Sequence, residues 1–211
     1  MKILGAVMLL VVLCLAGLVA AHSWPGAPLR RDDGSIVSSR PDTGAPQEAA
    51  LGEFTPVDPP RPAPELHFTT RDGKPVSLAD FRGHFLLVNL WATWCGPCVR
   101  EMPSLQQLQV RLGDRLEVLA ISEDRGGAQA VDRFLAQHGL DRLAVYLDPK
   151  TAALQAFALQ GLPTSFLIDP KGRILGQLEG AADWNAPDMV ARLEKYLGRG
   201  RGDGVIKTSS G

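Results

Sequence analysis

The chain has 211 residues, 45% of them apolar, and its 22 basic and 23 acidic side chains leave a net charge of −1. A nucleic-acid partner selects a strongly basic face, and this balance offers none. The length admits one or two domains, and a single domain of ordinary size is enough to build a full hydrophobic core.

Residues 1–23 read as an export segment. Lys2 precedes an unbroken apolar run from Ile3 to Ala21 that ends in small residues, the order of a signal peptide. The run is also about as long as a short membrane span, so cleavage after Ala21 and retention as an N-terminal membrane anchor are both open. Cys14 lies in this run behind Leu13, where a lipoprotein site wants a small residue, and it reads as apolar filler. Either outcome exports the rest of the chain to a periplasmic or otherwise extracytoplasmic site, tethered to the inner membrane if the segment is kept.

Residues 24–64 hold nine of the sixteen prolines and show no hydrophobic period. Such a stretch buries too little apolar area to offset its ordering entropy, and a flexible linker is expected. Residues 198–211 are predicted to be a flexible tail. That leaves 65–197 for one folded domain.

Within it, "LHFTT" and "KPVSL" flank Asp72-Gly73, a hairpin signal. "FLLVNLW" (85–91) is apolar throughout, as a strand covered on both faces must be. Val99, Met102, Leu105, Leu108 and Leu112 then recur at helical spacing, with Pro103 expected to kink that helix. "LEVLAIS" is the next strand, and a helix through "QAVDRFLAQH" stops at Gly139. A short strand "LAVYLD" and a short helix "KTAALQAFAL" follow. "TSFLID" and "RILGQLE" make two strands joined by a turn at Pro170-Lys171-Gly172. A last amphipathic helix is expected from about 186 to 197. This order predicts an α/β domain, a mixed central sheet with helices on both faces.

Cys95 and Cys98 lie where strand 85–91 gives way to a helix. Cys95 should fall at the helix start and Cys98 one turn in, with Gly96-Pro97 between them and Pro97 tolerated in the first turn. The helix N-terminus favours thiolate, which makes Cys95 the attacking thiol and Cys98 the resolving one. Two other readings compete with a redox couple. A structural zinc site needs about four Cys or His ligands, and His22, His67, His84 and His138 are scattered without ligand spacing. A structural disulfide closing two residues would remove little chain entropy. Redox chemistry is the reading that remains.

"FLLVNLWATWCGPCVREMP" together with "GLPTSFLIDPKGRI" resembles the TlpA/ResA-like family of thioredoxin-fold thiol–disulfide oxidoreductases, over nearly all of 64–197. The resemblance implies a thioredoxin-like fold with an extra N-terminal β-hairpin and an inserted strand/helix segment, matched here by 126–159. It implies that Pro163, in Leu162-Pro163-Thr164, is the cis-proline facing the cysteines, with backbone beside it able to pair with an extended partner segment. It implies a proton acceptor for Cys98 at Glu101, whose alternative role is a first-turn acid favoured by the helix dipole. Asn89 stands where thioredoxins proper usually bury an aspartate, so the acid–base work would have moved to Glu101. Trp94, before the first cysteine, would shield the disulfide and contact a partner, whereas Trp91 and Trp184 are expected in the core.

The function implied is reduction of disulfides in partner proteins, of the cytochrome c or copper-site maturation type, by a monomer that needs no cofactor beyond the Cys95–Cys98 couple. A membrane thiol electron donor would recharge it. Gly96-Pro97 matches thioredoxin, a reductant of roughly −270 mV. Thr164 stands where the dedicated cytochrome c branch often has glutamate, which weakens that choice of substrate. The alternatives are a copper(I) chaperone using the dithiol and a disulfide-donating oxidase. A peroxidase is disfavoured because Ala92 occupies the position of its threonine.

Overall fold

The computed structural model describes residues 52–202. One eight-stranded sheet organises them: β1 (Phe54–Pro62), β2 (His67–Thr70), β3 (Pro75–Ser77), β4 (Leu86–Trp91), β5 (Glu117–Ser122), β6 (Ala144–Leu147), β7 (Thr164–Ile168) and β8 (Arg173–Glu179). Their order across the sheet is β1-β8-β7-β4-β5-β6-β2-β3. β4, β5 and β6 run parallel, and every other neighbouring pair is antiparallel. This is the mixed sheet of the thioredoxin-like fold. The expected hairpin β2–β3 caps one edge, and Gly73 holds its turn at φ 86°.

Four α-helices accompany the strands among the described residues: α1 (Gly96–Leu112), α2 (Gly127–His138), α3 (Ala152–Ala156) and α4 (Pro187–Gly202). β4 is buried at all six positions and parts its side chains by alternation. Leu87 and Trp91 enter a core with residues of α1, α2 and α4, while Leu86, Val88 and Leu90 pack on the other face with Ala153 of α3 and Phe157. Helices therefore cover both faces, and α2–β6–α3 is the inserted segment. α1 runs through Pro103 as one helix, and α2 ends on Gly139 in the left-handed region at φ 64°.

Two boundaries differ from expectation. Residues 54–62, expected within the flexible linker 24–64, form β1 on the edge of the sheet beside β8. An edge strand tolerates the missing amides of Pro56, Pro59, Pro60 and Pro62, because only one side of it pairs. A register shift between Pro56 and Arg61 absorbs the middle of that run, where the Asp58–Pro59 bond is cis. Phe54 anchors the strand by packing the tip of its ring against Gly176, where any Cβ would collide with it. At the other end α4 continues to Gly202, five residues into the segment expected as tail. The export segment with Cys14, most of the linker and residues 203–211 lie outside the described residues. Among the described residues no helix is long and apolar enough to cross a membrane.

Candidate active site

The site is assembled at the C-terminal end of β4, where the strand leaves the sheet. Cys95 N–H donates to Ala92 O at 3.1 Å, closing a turn with Thr93 and Trp94 at its centre. Cys95 then caps α1 in extended conformation, and its Sγ accepts from Cys98 N–H at 3.3 Å. The two cysteines form a disulfide with Cα atoms 5.3 Å apart. Cys95 is 6% exposed and Cys98 fully buried, so only the first cysteine keeps any surface in solvent. Gly96 is exposed and Pro97 half-buried, both in the first turn of α1.

Glu101 follows Cys98 by three residues, about one turn further along α1 and on the same side of the helix. It is 2% exposed and belongs to the second turn of α1, so the alternative of a first-turn acid favoured by the helix dipole does not describe it. Asn89 Nδ2 of β4 donates to Oε1 at 2.8 Å, and the Ala182 N–H and Trp184 Nε1 each donate to Oε2 at 3.0 Å. Asn89 also donates to Ser165 Oγ of β7 at 2.9 Å. Ser104 Oγ accepts from Trp184 N–H at 3.1 Å and donates to Glu101 O at 2.7 Å, so the 182–184 loop is fastened to α1 at two points. Burial pushes the Glu101 carboxyl up from 4.5 to about 7, against the pull of the Ala182, Asn89 and Trp184 donors. A group with that value exchanges a proton near neutrality.

The Leu162–Pro163 bond is cis, as the resemblance implied. Pro163 is buried, its carbonyl accepts from Gly180 N–H at 2.9 Å, and Thr164 Oγ1 donates to Gly161 O at 3.0 Å. Leu162 is half-buried, and neither its N–H nor its C=O bonds to backbone among the described residues. Trp94 is 71% exposed, a large apolar surface directly before Cys95. Trp91 is buried in the core, as expected, against Phe134 at 5.1 Å between ring centroids.

The Redoxin family profile matches residues 58–197. The thiol-disulfide oxidoreductase ResA of Bacillus thuringiensis subsp. konkukian is 33% identical over 136 residues, 64% of this chain and 74% of that protein. ResA of Bacillus subtilis is 31% identical over 119 residues, covering 56% and 65% of the two chains. A Chlorobium tepidum crystal structure assigned as thiol:disulfide interchange protein DsbE superposes with TM-score 0.57 at 30% identity, covering 68% of this chain and 98% of that one. StoA of Bacillus subtilis shares the fold at TM-score 0.51 and 22% identity, covering 64% and 96%. The chain belongs to the TlpA/ResA-like family. This TlpA/ResA-like protein is accordingly an oxidoreductase of the thiol–disulfide class, and its CxxC pair is Cys95–Cys98.

Core packing alone is the role expected from sequence for Trp184 of this family member. The residue is fully buried, yet its indole also holds Glu101 from 83 positions away. No local pattern announces such a contact.

A further buried acid has no signal in the sequence. Glu123, just past β5, is 2% exposed, and neither carboxyl oxygen has a hydrogen-bond partner among the described residues. Burial, and then repulsion from Asp148, push it up from 4.5 to about 8. The native state thus holds a proton that the unfolded chain releases. This contribution to stability is fully present below about pH 4.5 and is lost as pH rises through about 8. Glu123→Gln removes it: between pH 5 and pH 9 the parent should lose roughly 1–3 kcal/mol relative to the variant. Urea unfolding at the two pH values checks this, and a gap independent of pH contradicts it.

Proposed function

We propose that the protein is an exported, membrane-associated reductase of protein disulfides. The reduced protein attacks a partner disulfide through the Cys95 thiolate, and one partner sulfur leaves as thiolate and takes up a proton. The resulting mixed disulfide is attacked by Cys98, whose proton passes to the Glu101 carboxylate. The second partner sulfur leaves as thiolate and takes up a proton, and the Cys95–Cys98 disulfide closes. Two electrons have moved to the partner, and a membrane thiol donor restores the dithiol.

The observation that carries this reading is the carboxyl of Glu101, buried one helical turn after Cys98 and held by Asn89, Ala182 and Trp184, where burial pushes it up to about 7. Direction is supported by Gly96-Pro97, the pair found in thioredoxin, a reductant of roughly −270 mV. Export and tethering are supported by the charged start and apolar run of residues 1–21. Exposed Trp94 and the unpaired Leu162 backbone support docking of an extended partner segment beside the cis-proline. Thr164 in place of glutamate favours a copper-site or other maturation partner over the dedicated cytochrome c branch.

Cys98→Ser tests the sequence of events. The variant should accumulate a mixed disulfide through Cys95 with an exported partner, isolable by non-reducing electrophoresis and mass spectrometry, whereas Cys95→Ser should trap none. Trapping through residue 98 instead would reverse the roles. Stoichiometric copper(I) binding without any exchange would replace this function with that of a metal chaperone.

A further inference from the structure

Immediately after β5 the chain grips the segment that carries the nucleophile. Glu123 N–H donates to Trp91 O at 2.8 Å, at the last residue of β4. One residue on, the Asp124 carboxylate is 4% exposed and accepts three hydrogen bonds. Oδ2 takes the Thr93 N–H at 2.9 Å and the Ser122 hydroxyl at 2.7 Å, and Oδ1 takes the Thr93 hydroxyl at 2.6 Å. Ser122 Oγ in turn accepts the Asp124 N–H at 3.1 Å, and the Asp124 carbonyl accepts from Gly127 N–H at 2.9 Å where α2 begins. Both ends of Asp124 are therefore fixed before it reaches Thr93.

Thr93 is the first central residue of the turn that Cys95 N–H closes on Ala92. Its amide and its hydroxyl are both taken by one carboxylate from 31 residues away. Rotation of the 92–94 peptides would break two charge-assisted bonds to a buried carboxylate. Those peptides set where Cys95 caps α1 and where Trp94 stands in solvent. A bidentate hold of this kind is worth having where a sulfur must meet a partner sulfur in line, because small displacements of a reacting group cost rate steeply.

We infer that Asp124 is a positioning residue for thiol–disulfide exchange, acting on Cys95 through Thr93 and its turn. The inference rests on Cys95 being the attacking thiol. Asp124 touches no reacting atom; it holds the turn that does.

The test uses the full chain and a small aromatic disulfide, 5,5′-dithiobis(2-nitrobenzoate), as oxidant of the reduced protein. Thr93→Val keeps the side-chain volume and the amide but loses the hydroxyl donor. Asp124→Asn replaces one acceptor oxygen by a donor facing Thr93 or Ser122. Each should slow the second-order exchange rate by roughly tenfold, and the double variant should be no slower than Asp124→Asn, since both remove one shared interaction. Thr93→Ser, which keeps the hydroxyl donor that Val lacks, should recover the rate lost in Thr93→Val. The pH profile of Cys95 alkylation should move in Thr93→Val and return in Thr93→Ser. A residue that served stability alone would lower the melting temperature and leave rate and alkylation profile of the folded variants within twofold of the parent, and that result overturns the inference. If Asp124→Asn does not fold, Thr93→Val and Thr93→Ser decide. A parent that fails to exchange through Cys95 overturns both this inference and the reductase reading; a competent parent with unaffected variants overturns this one alone.

Discussion

Glu101→Gln is expected to lower turnover by about two orders of magnitude at pH 7, the size of effect usual for loss of a positioned general base. The sign of the pH dependence follows from the state of the carboxyl. To take the Cys98 proton it must be ionised, and burial sets that ionisation near pH 7. The rate of resolution should therefore rise with pH through about 7 in the parent, and this limb should vanish in the variant. Glutamine retains an acceptor for the Trp184 indole and the Ala182 amide, so the fold should persist and the comparison report chemistry. An ionised carboxylate beside the dithiol also opposes a second negative charge, so the Cys95 thiol should titrate at lower pH in the variant. Stopped-flow kinetics of mixed-disulfide resolution and alkylation of Cys95 against pH read the two effects separately. An unchanged limb and an unchanged thiol titration would remove Glu101 from the mechanism.

Trp184 carries the second large effect, and two substitutions divide it. Trp184→Ala empties a fully buried indole site and should cost about 3–5 kcal/mol of stability, the usual range for such truncations. Trp184→Phe keeps most of the packing and removes the donor at 3.0 Å from Glu101 Oε2. That donor favours the ionised carboxyl, so its loss should raise the Glu101 value above 7 and move the activity limb to higher pH. Denaturant unfolding measures the first variant and the pH–rate profile the second. A Trp184→Phe profile superimposable on the parent would mean that the indole only fills space.

These two residues also mark how far the site can be read from the chain alone. Cys95 and Cys98 were legible because strand, turn and helix start follow one another in a few residues, and helical spacing alone puts Glu101 on the side of Cys98. What Glu101 touches was not legible. Its partners come from β4 and from the loop after β8, and only the assembled sheet brings Asn89, Ala182 and Trp184 to one carboxylate. The clamp of Asp124 on Thr93 escaped for the same reason. The cis state of the Leu162–Pro163 bond came through family resemblance, since nothing in three local residues selects the isomer.

In the fold, elements with a strong period or a hard stop were readable: apolar β4, the spacing of α1, and Gly139 ending α2. β1 was hidden by its composition. Its prolines argue for a linker until the sheet edge is known, because their cost depends on whether a neighbour needs the missing amides. Gly176 carried the missing clue, a glycine inside a strand over which Phe54 packs, but a lone strand glycine does not say what covers it.

The central claim is that Cys95 and Cys98 form a reducing couple. The measurement that tests it most directly is the reduction potential of the full chain, metal-free, equilibrated in defined thiol–disulfide buffers with the disulfide fraction counted by alkylation. A value near thioredoxin's, roughly −270 mV, is the predicted result. A value near about −120 mV, that of a strong periplasmic oxidant, would contradict it and make the protein a donor of disulfides.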